Sequence, residues 1–224
     1  WPLPVAARPM PPALADTVRA DAPKEGSFLV ANVCEGLKTV KPGDIKALRV
    51  IAVPAKTHPT MDSPAMGIMK DDPGKCVLGT VPVEPDGSAH FRVPAGVTMF
   101  FQALDDRGVA VQTMRGAVHV QPGQTLSCVG CHEHRMSAPP AQAFAAARRE
   151  PSRITPGPDG TWPFRYDRLV QPVLDTHCVS CHNPKAKDKR AARFRLTPEK
   201  SYEALCGYGK PSLVDNVREG YLRG

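Results

Sequence analysis

The chain has 224 residues, 42% of them hydrophobic, and 29 Lys and Arg against 22 Asp and Glu give a net charge of +7. That length suits one large domain or two ordinary ones, and no apolar run approaches the roughly eighteen residues of a membrane helix. The positive balance raises nucleic-acid binding, but basic and aromatic residues are not interleaved in a way that supports it, while 25 Pro and 6% aromatics predict a loop-rich molecule.

The chain opens on Trp1-Pro2, without an initiator Met or the basic and apolar regions of a signal peptide, and reads as a mature or excised fragment. Residues 1–26 are rich in Pro and Ala and read as an extended lead-in. Across 27–127 the pattern changes to short strand-like runs: SFLVANV, IKALRVIAV, CVLGTVPV, SAHFRV, VTMFFQAL, VAVQTM and AVHV. Turn chemistry separates them at Pro42-Gly43, Pro73-Gly74, Pro85-Asp86-Gly87, Pro94-Ala95-Gly96 and Pro122-Gly123. Such spacing predicts an all-β sandwich. Within SAHFRV, alternation sets Ala89, Phe91 and Val93 on one face and His90 and Arg92 on the other. The polar stretch 57–75 departs from the pattern and holds Met61, Met66 and Met69. Their thioethers are soft metal donors, although Met more often fills irregular gaps in loops.

Two pentapeptides then share one spacing. Cys128-Val-Gly-Cys131-His132 and Cys178-Val-Ser-Cys181-His182 both read CxxCH, the attachment signature of a c-type haem. The spacing lets two thiols reach the two vinyl groups of one porphyrin, and the next residue supplies an imidazole as axial iron ligand. A four-cysteine zinc ribbon and a thiol redox pair are the alternatives. A ribbon needs no His after each pair, and it separates its pairs by roughly 15–20 residues, far fewer than here. Two covalently bound haem c groups are therefore expected, on Cys128, Cys131, Cys178 and Cys181, with His132 and His182 as metal ligands. Covalent attachment follows export, so the expected location is periplasmic.

Residues 128–224 read as a mainly α, cytochrome c-like region, cut short at its C-terminus. Ala141–Arg149 predicts an alanine-rich helix ending in a basic cluster. RYDRLVQPVLDTH predicts another, with Leu169, Val173 and Leu174 on one face and Pro172 dividing it. Thr197 with Pro198 and Ser212 with Asp215 mark two further helix starts.

For the first iron, two further ligands are candidates. His119 is on the run leading into the motif, opposite Val118 and Val120; an ordinary exposed strand histidine is the competing reading. Met136 lies four residues after His132, on the same face of any helix there, while His134 points away. At the second motif His177 adjoins Cys178 and is badly placed to cross the haem, and no His or Met follows Ser201. Lys185, Lys187, Lys189, Arg190, Arg193 and Arg195 read as a solvated basic face, as partners for haem propionates, or as a docking face for an acidic redox protein. Three cysteines remain, Cys34, Cys76 and Cys206, with Cys34–Cys76 a candidate disulfide.

The run VLGTVPVEPDGSAHFRVPAGVTMFFQALDDRGVAVQTMRGAVHVQPGQTLSCVGCHEHR, followed by PGPDGTWPFRYDRLVQPVLDTHCVSCH, resembles the middle and C-terminal haem region of the hydrazine synthase alpha subunit and its planctomycete-type multihaem relatives. The resemblance covers residues 27–206 and rests on the combination of β runs, first motif and YDRLVQPVLDTHC segment. It implies a middle-domain-like sandwich over 27–127 and an unusual first haem site. In that family the motif's His, here His132, can bind zinc, and a Tyr four residues later can take the iron. Met136 stands where that Tyr would be, a departure from oxygen ligation. Cys34 is then a candidate zinc thiolate. The family's second haem serves electron transfer, which suits Cys178, Cys181 and His182.

Three functions follow as expectations. The leading one is a periplasmic dihaem cytochrome exchanging electrons with redox partner proteins. Its rival is a haem enzyme, or enzyme subunit, acting on a small nitrogen-containing ligand at the first haem. The third is a partner-binding module with structural haems. Each is compatible with an oligomer.

Overall fold

A computed structural model describes residue 10, residues 12–13 and residues 21–222, except 39, 58–59, 61, 64, 69, 71, 133–135, 139–140, 158–161 and 164. Alternating side chains from residue 25 onward build two sheets. In one, β1 (Glu25–Val30) lies between β4 (Ala89–Pro94) and β7 (Thr125–Cys128). The other runs β6 (Ala110–Thr113), β5 (Met99–Leu104), β2 (Ala47–Ala52), β3 (Cys76–Pro82) and β8 (Trp162–Pro163). Neighbours are antiparallel except β1 and β7, which run parallel with Val30 opposite Cys128.

The two sheets share one core. Phe28 and Phe91 come from the first, Leu48, Val50, Met99 and Phe101 from the second. The three rings pack together, Phe101 edge-on to Phe28 at 5.2 Å and to Phe91 at 5.3 Å, the arrangement that ring quadrupoles prefer. The predicted period of two is obeyed: Ala89, Phe91 and Val93 are buried, His90 and Arg92 only partly so.

Three expectations are corrected here. AVHV is not a strand; Val118 makes a single bridge to Met99. The strand that enters the first motif is instead the more polar TLSC, formed because β1 offers it a parallel partner. The alanine-rich stretch 141–149 holds only a 3-10 turn, Ala145–Arg148. Its amides are taken from outside: Ala145 N–H donates to Asp86 Oδ2 at 2.8 Å and Ala146 N–H to Ser88 Oγ at 3.0 Å. Tertiary hydrogen bonds outcompete alanine's helix propensity. The chain then straps across both sheets. Ser152 exchanges backbone bonds with β4 at His90 and Arg92, and Thr155 pairs with Thr80 of β3.

Beyond the strap the chain is mostly helical: α1 (Tyr166–Leu169), α2 (Gln171–His177), α3 (Lys189–Arg193), α4 (Ser201–Cys206) and α5 (Leu213–Leu222). Pro172 divides the first pair, tolerated near the start of α2 where no intrahelical donor is required. Thr197 does not start a helix, the third correction. Its carbonyl closes a turn with Lys200 and Ser201, and α4 begins at Ser201. Ser201 Oγ donates to Gln171 Oε1 at 2.5 Å, and Gln171 Nε2 donates to the Leu196 carbonyl at 3.1 Å, so a buried polar network ties α2 to α4. The Ser212–Asp215 capping box forms in full. Among the described residues no helix is long and apolar enough to cross a membrane.

Candidate functional site

Cys128 ends β7, and the loop after it continues the pairing. Ala31 N–H donates to the Cys128 carbonyl at 2.9 Å, Asn32 N–H to Val129 at 3.0 Å, and His132 N–H to Glu35 at 3.4 Å. The motif therefore lies along the Asn32–Gly36 loop, and glycine permits the approach on both sides. A Cβ on Gly36, whose φ is +80°, would run into the His132 carbonyl oxygen, and one on Gly130 would come within 2.7 Å of the Glu35 carbonyl oxygen. Cys128, Cys131 and His132 line a cavity of about 620 Å³ whose wall includes Val30, Phe101 and Leu126. Gln112, Thr113 and Arg115 add polar groups to its lining, beside Met114. Burial pushes the Cys131 thiol up to about 11, helped by the neighbouring Cys34 and Cys128. Burial, then the Asp44 carboxylate, also raises Cys34. Three thiols thus gather at the first motif, and burial favours the protonated form of Cys131 and Cys34.

The second motif is built by a helix end. Cys178 N–H donates to the Leu174 carbonyl at 2.8 Å, and His182 N–H returns to the Cys178 carbonyl at 2.9 Å, closing Cys178 to His182 into one turn. His182 Nδ1 is 2.9 Å from the Phe194 carbonyl oxygen. A carbonyl only accepts, so Nδ1 carries the proton and, in the neutral ring, Nε2 presents its lone pair. Phe194 also packs edge-on to the imidazole, centroids 5.8 Å apart, and tilts against Tyr208 at 5.1 Å. Asp188 caps α3, its Oδ1 accepting from Arg190 N–H at 2.7 Å, and Phe194 is the C-cap that follows Arg193, which places that carbonyl. A cavity of about 920 Å³ is lined by Cys181, His182, Phe194, Tyr208, Lys187 and Arg190.

The other candidates divide. Cys34 does approach the first motif, its Sγ donating to the Lys41 carbonyl at 3.6 Å. His119 does not; it is exposed, while its neighbour Val118 lines the cavity. Met136 is 81% exposed and away from the cavity wall. Met66 is on a tight turn closed on Lys70 and lines neither cavity. Met61, Met69 and His134 lie outside the described residues. Cys34 and Cys76 are both free thiols, so the candidate disulfide is absent. Among the described residues no three His, Cys, Asp or Glu side chains converge to hold a metal ion. Sequence reasoning missed Met114 and Arg115 at the first cavity, and Phe194 and Tyr208 at the second. Phe194, set between Arg193 and Arg195, is the one apolar aromatic within the basic cluster.

Residues 43–133, which include the first CxxCH, match the family model described as hydrazine synthase alpha subunit middle domain. Among solved structures the chain is similar to Kuenenia stuttgartiensis Hydrazine Synthase, with a TM-score of 0.60 at 20% identity over 73% of this chain. At that identity the likeness is one of fold. The match spans 30% of the solved chain. No curated protein matches the sequence.

Proposed function

From residues 43–133 matching the hydrazine synthase alpha subunit middle domain, we propose that the chain is an exported, periplasmic module carrying two covalently attached haem c groups, with electron transfer at the second. The observation that carries this is the His182 imidazole, held by the Phe194 carbonyl with Nε2 free, beside Cys181 on a cavity large enough for a cofactor. A haem bound there would supply one-electron redox chemistry.

The residues present fit such a group. The Phe194 carbonyl fixes the imidazole's tautomer and direction and raises its basicity as a ligand. Phe194 and Tyr208 provide an aromatic surface on the cavity wall. Lys187 and Arg190 stand at the cavity as counter-charges for carboxylates. Leu169, Val170 and Val173 are exposed just ahead of the motif, apolar surface that a large planar group would help cover. The first cavity fits too, with Cys128 and Cys131 on a largely apolar wall. His132 is tied to the neighbouring loop through its backbone, its N–H donating to the Glu35 carbonyl.

The family match favours one second reading. The first motif falls inside the segment matched to a hydrazine synthase alpha subunit middle domain, and an iron there with an exchangeable axial position would bind a small nitrogen species. Zinc on His132 and Cys34 belongs to this reading.

Intact mass of the exported protein tests the premise: two attached haems are expected, one after Cys178→Ala with Cys181→Ala, and none in the wild type overturns it. Iron spectroscopy then separates the readings, because two strong axial ligands on both irons in every redox state would remove the enzyme.

A further inference from the structure

We propose that the basic segment beside the second cavity is a docking face for an acidic redox protein. The inference deepens the electron-transfer reading by naming its partner's chemistry. Between residues 183 and 196 six cations, Lys185, Lys187, Lys189, Arg190, Arg193 and Arg195, face one carboxylate, Asp188. The net of five positive charges is most of the chain's +7.

Asp188 offsets only one of the six charges. Its carboxylate is engaged with the Arg190 backbone amide as the cap of α3. All six cations are exposed, and among the described residues none forms an ion pair. Elsewhere the arrangement differs: Arg92, Arg149 and Arg165 each hold a carboxylate within 3 Å. A solvated face needs no particular position. This one adjoins a cavity, since Lys187 and Arg190 line the same wall as Cys181 and His182.

Tyr208, 70% exposed, adds an aromatic surface at that mouth. An aromatic-lined cavity with cations on one side is what an acidic protein surface complements, and such charge accelerates encounter and orients it. A duplex or an anionic bilayer would feel the same charge but would gain nothing from the cavity. A partner protein docked here brings its own redox centre to the second motif.

The test uses a plant-type ferredoxin as acidic probe, with a basic mitochondrial-type cytochrome c, a 20-base-pair DNA and phosphatidylserine vesicles as controls. The variant K185E/K189E/R193E reverses charge on residues outside the cavity wall and leaves the Asp188 cap intact. Ferredoxin binding is expected to weaken about tenfold or more in the variant, and also between low and physiological salt. Equal binding by wild type and variant overturns the proposal, as does binding to DNA or vesicles without binding to ferredoxin. Circular dichroism identifies a variant that fails to fold; the milder K185Q/K189Q then replaces it, with the same direction expected. Binding is read without redox turnover, so a chain lacking attached haem sinks the haem assignment while the docking result stands by itself.

Discussion

The same pentapeptide spacing occurs in two settings whose supports differ in kind. The first motif hangs from a β domain with a continuous apolar core, where Phe28, Phe91 and Phe101 interlock and a parallel strand delivers Cys128 in register with Val30. The second belongs to short helices whose only buried apolar side chains after residue 165 are Leu196 and Cys206, among the described residues. Those helices are joined by polar bonds, Ser201 to Gln171 and Gln171 to Leu196. Yet the histidine whose ring is held by a backbone carbonyl is in the less well packed region. A fold core and a ligand geometry are separate achievements: burial is non-directional, whereas aiming an imidazole takes one hydrogen bond at a defined place.

The comparison can be broken most forcefully at Phe91. Replacing Phe91 by Ala should cost the β domain about 3–5 kcal/mol, measured by chemical denaturation. If the two regions are energetically distinct, the helical far-UV signal should outlast the β transition; a single transition for both would erase the distinction.

Gly36→Ala is next. It forces a side chain into left-handed backbone and against the His132 carbonyl, a strain of about 1–3 kcal/mol. The expected result is loss of attachment at Cys128 and Cys131 with the second motif unaffected, read by peptide mass. Attachment at both would mean that the Asn32–Gly36 loop does not seat the first motif.

A smaller effect is expected at the second site. Asp188→Ala removes the α3 cap, about 1 kcal/mol, and loosens the Phe194 carbonyl that holds His182. A shifted reduction potential or axial-ligand spectrum at the second centre, with the first unchanged, is the outcome that fits.

The smallest effect sharpens the β domain by pH. Burial chiefly holds His90 below its usual value of 6.5, with Arg149 and Arg92 adding to the depression while the Ala146 backbone and Glu150 oppose it. The folded state therefore binds the proton less readily than the unfolded one, so stability present above pH 6.5 is lost progressively as pH falls below it. Thermal melts from pH 8 to 5 should show that decline, and His90→Gln should flatten it. An unchanged slope in the variant would assign the decline to other groups.

Much of the β domain was legible because period two and Pro-Gly turns are local signals. SAHFRV announced its buried face residue by residue. AVHV and Ala141–Arg149 misled for one reason: what those residues do is settled by partners far along the chain. Val118 finds only Met99, and the alanine amides are claimed by Asp86 and Ser88. TLSC was overlooked because a parallel edge strand needs no strong alternation once β1 offers its bonds. His119 looked well placed only while AVHV was treated as a strand facing the motif.

The sequence by itself determined the attachment chemistry expected of both motifs, since five covalently linked residues carry their own spacing. It also determined the alternation of the strands and the Ser212–Asp215 cap, which depend on neighbours within one turn. Only the tertiary structure decided that Cys34 stands beside Cys131, that Phe194 aims His182, and that the basic segment borders the second cavity. Each of those joins residues distant in sequence, and their proximity is fixed by packing and hydrogen bonding that no short pattern encodes.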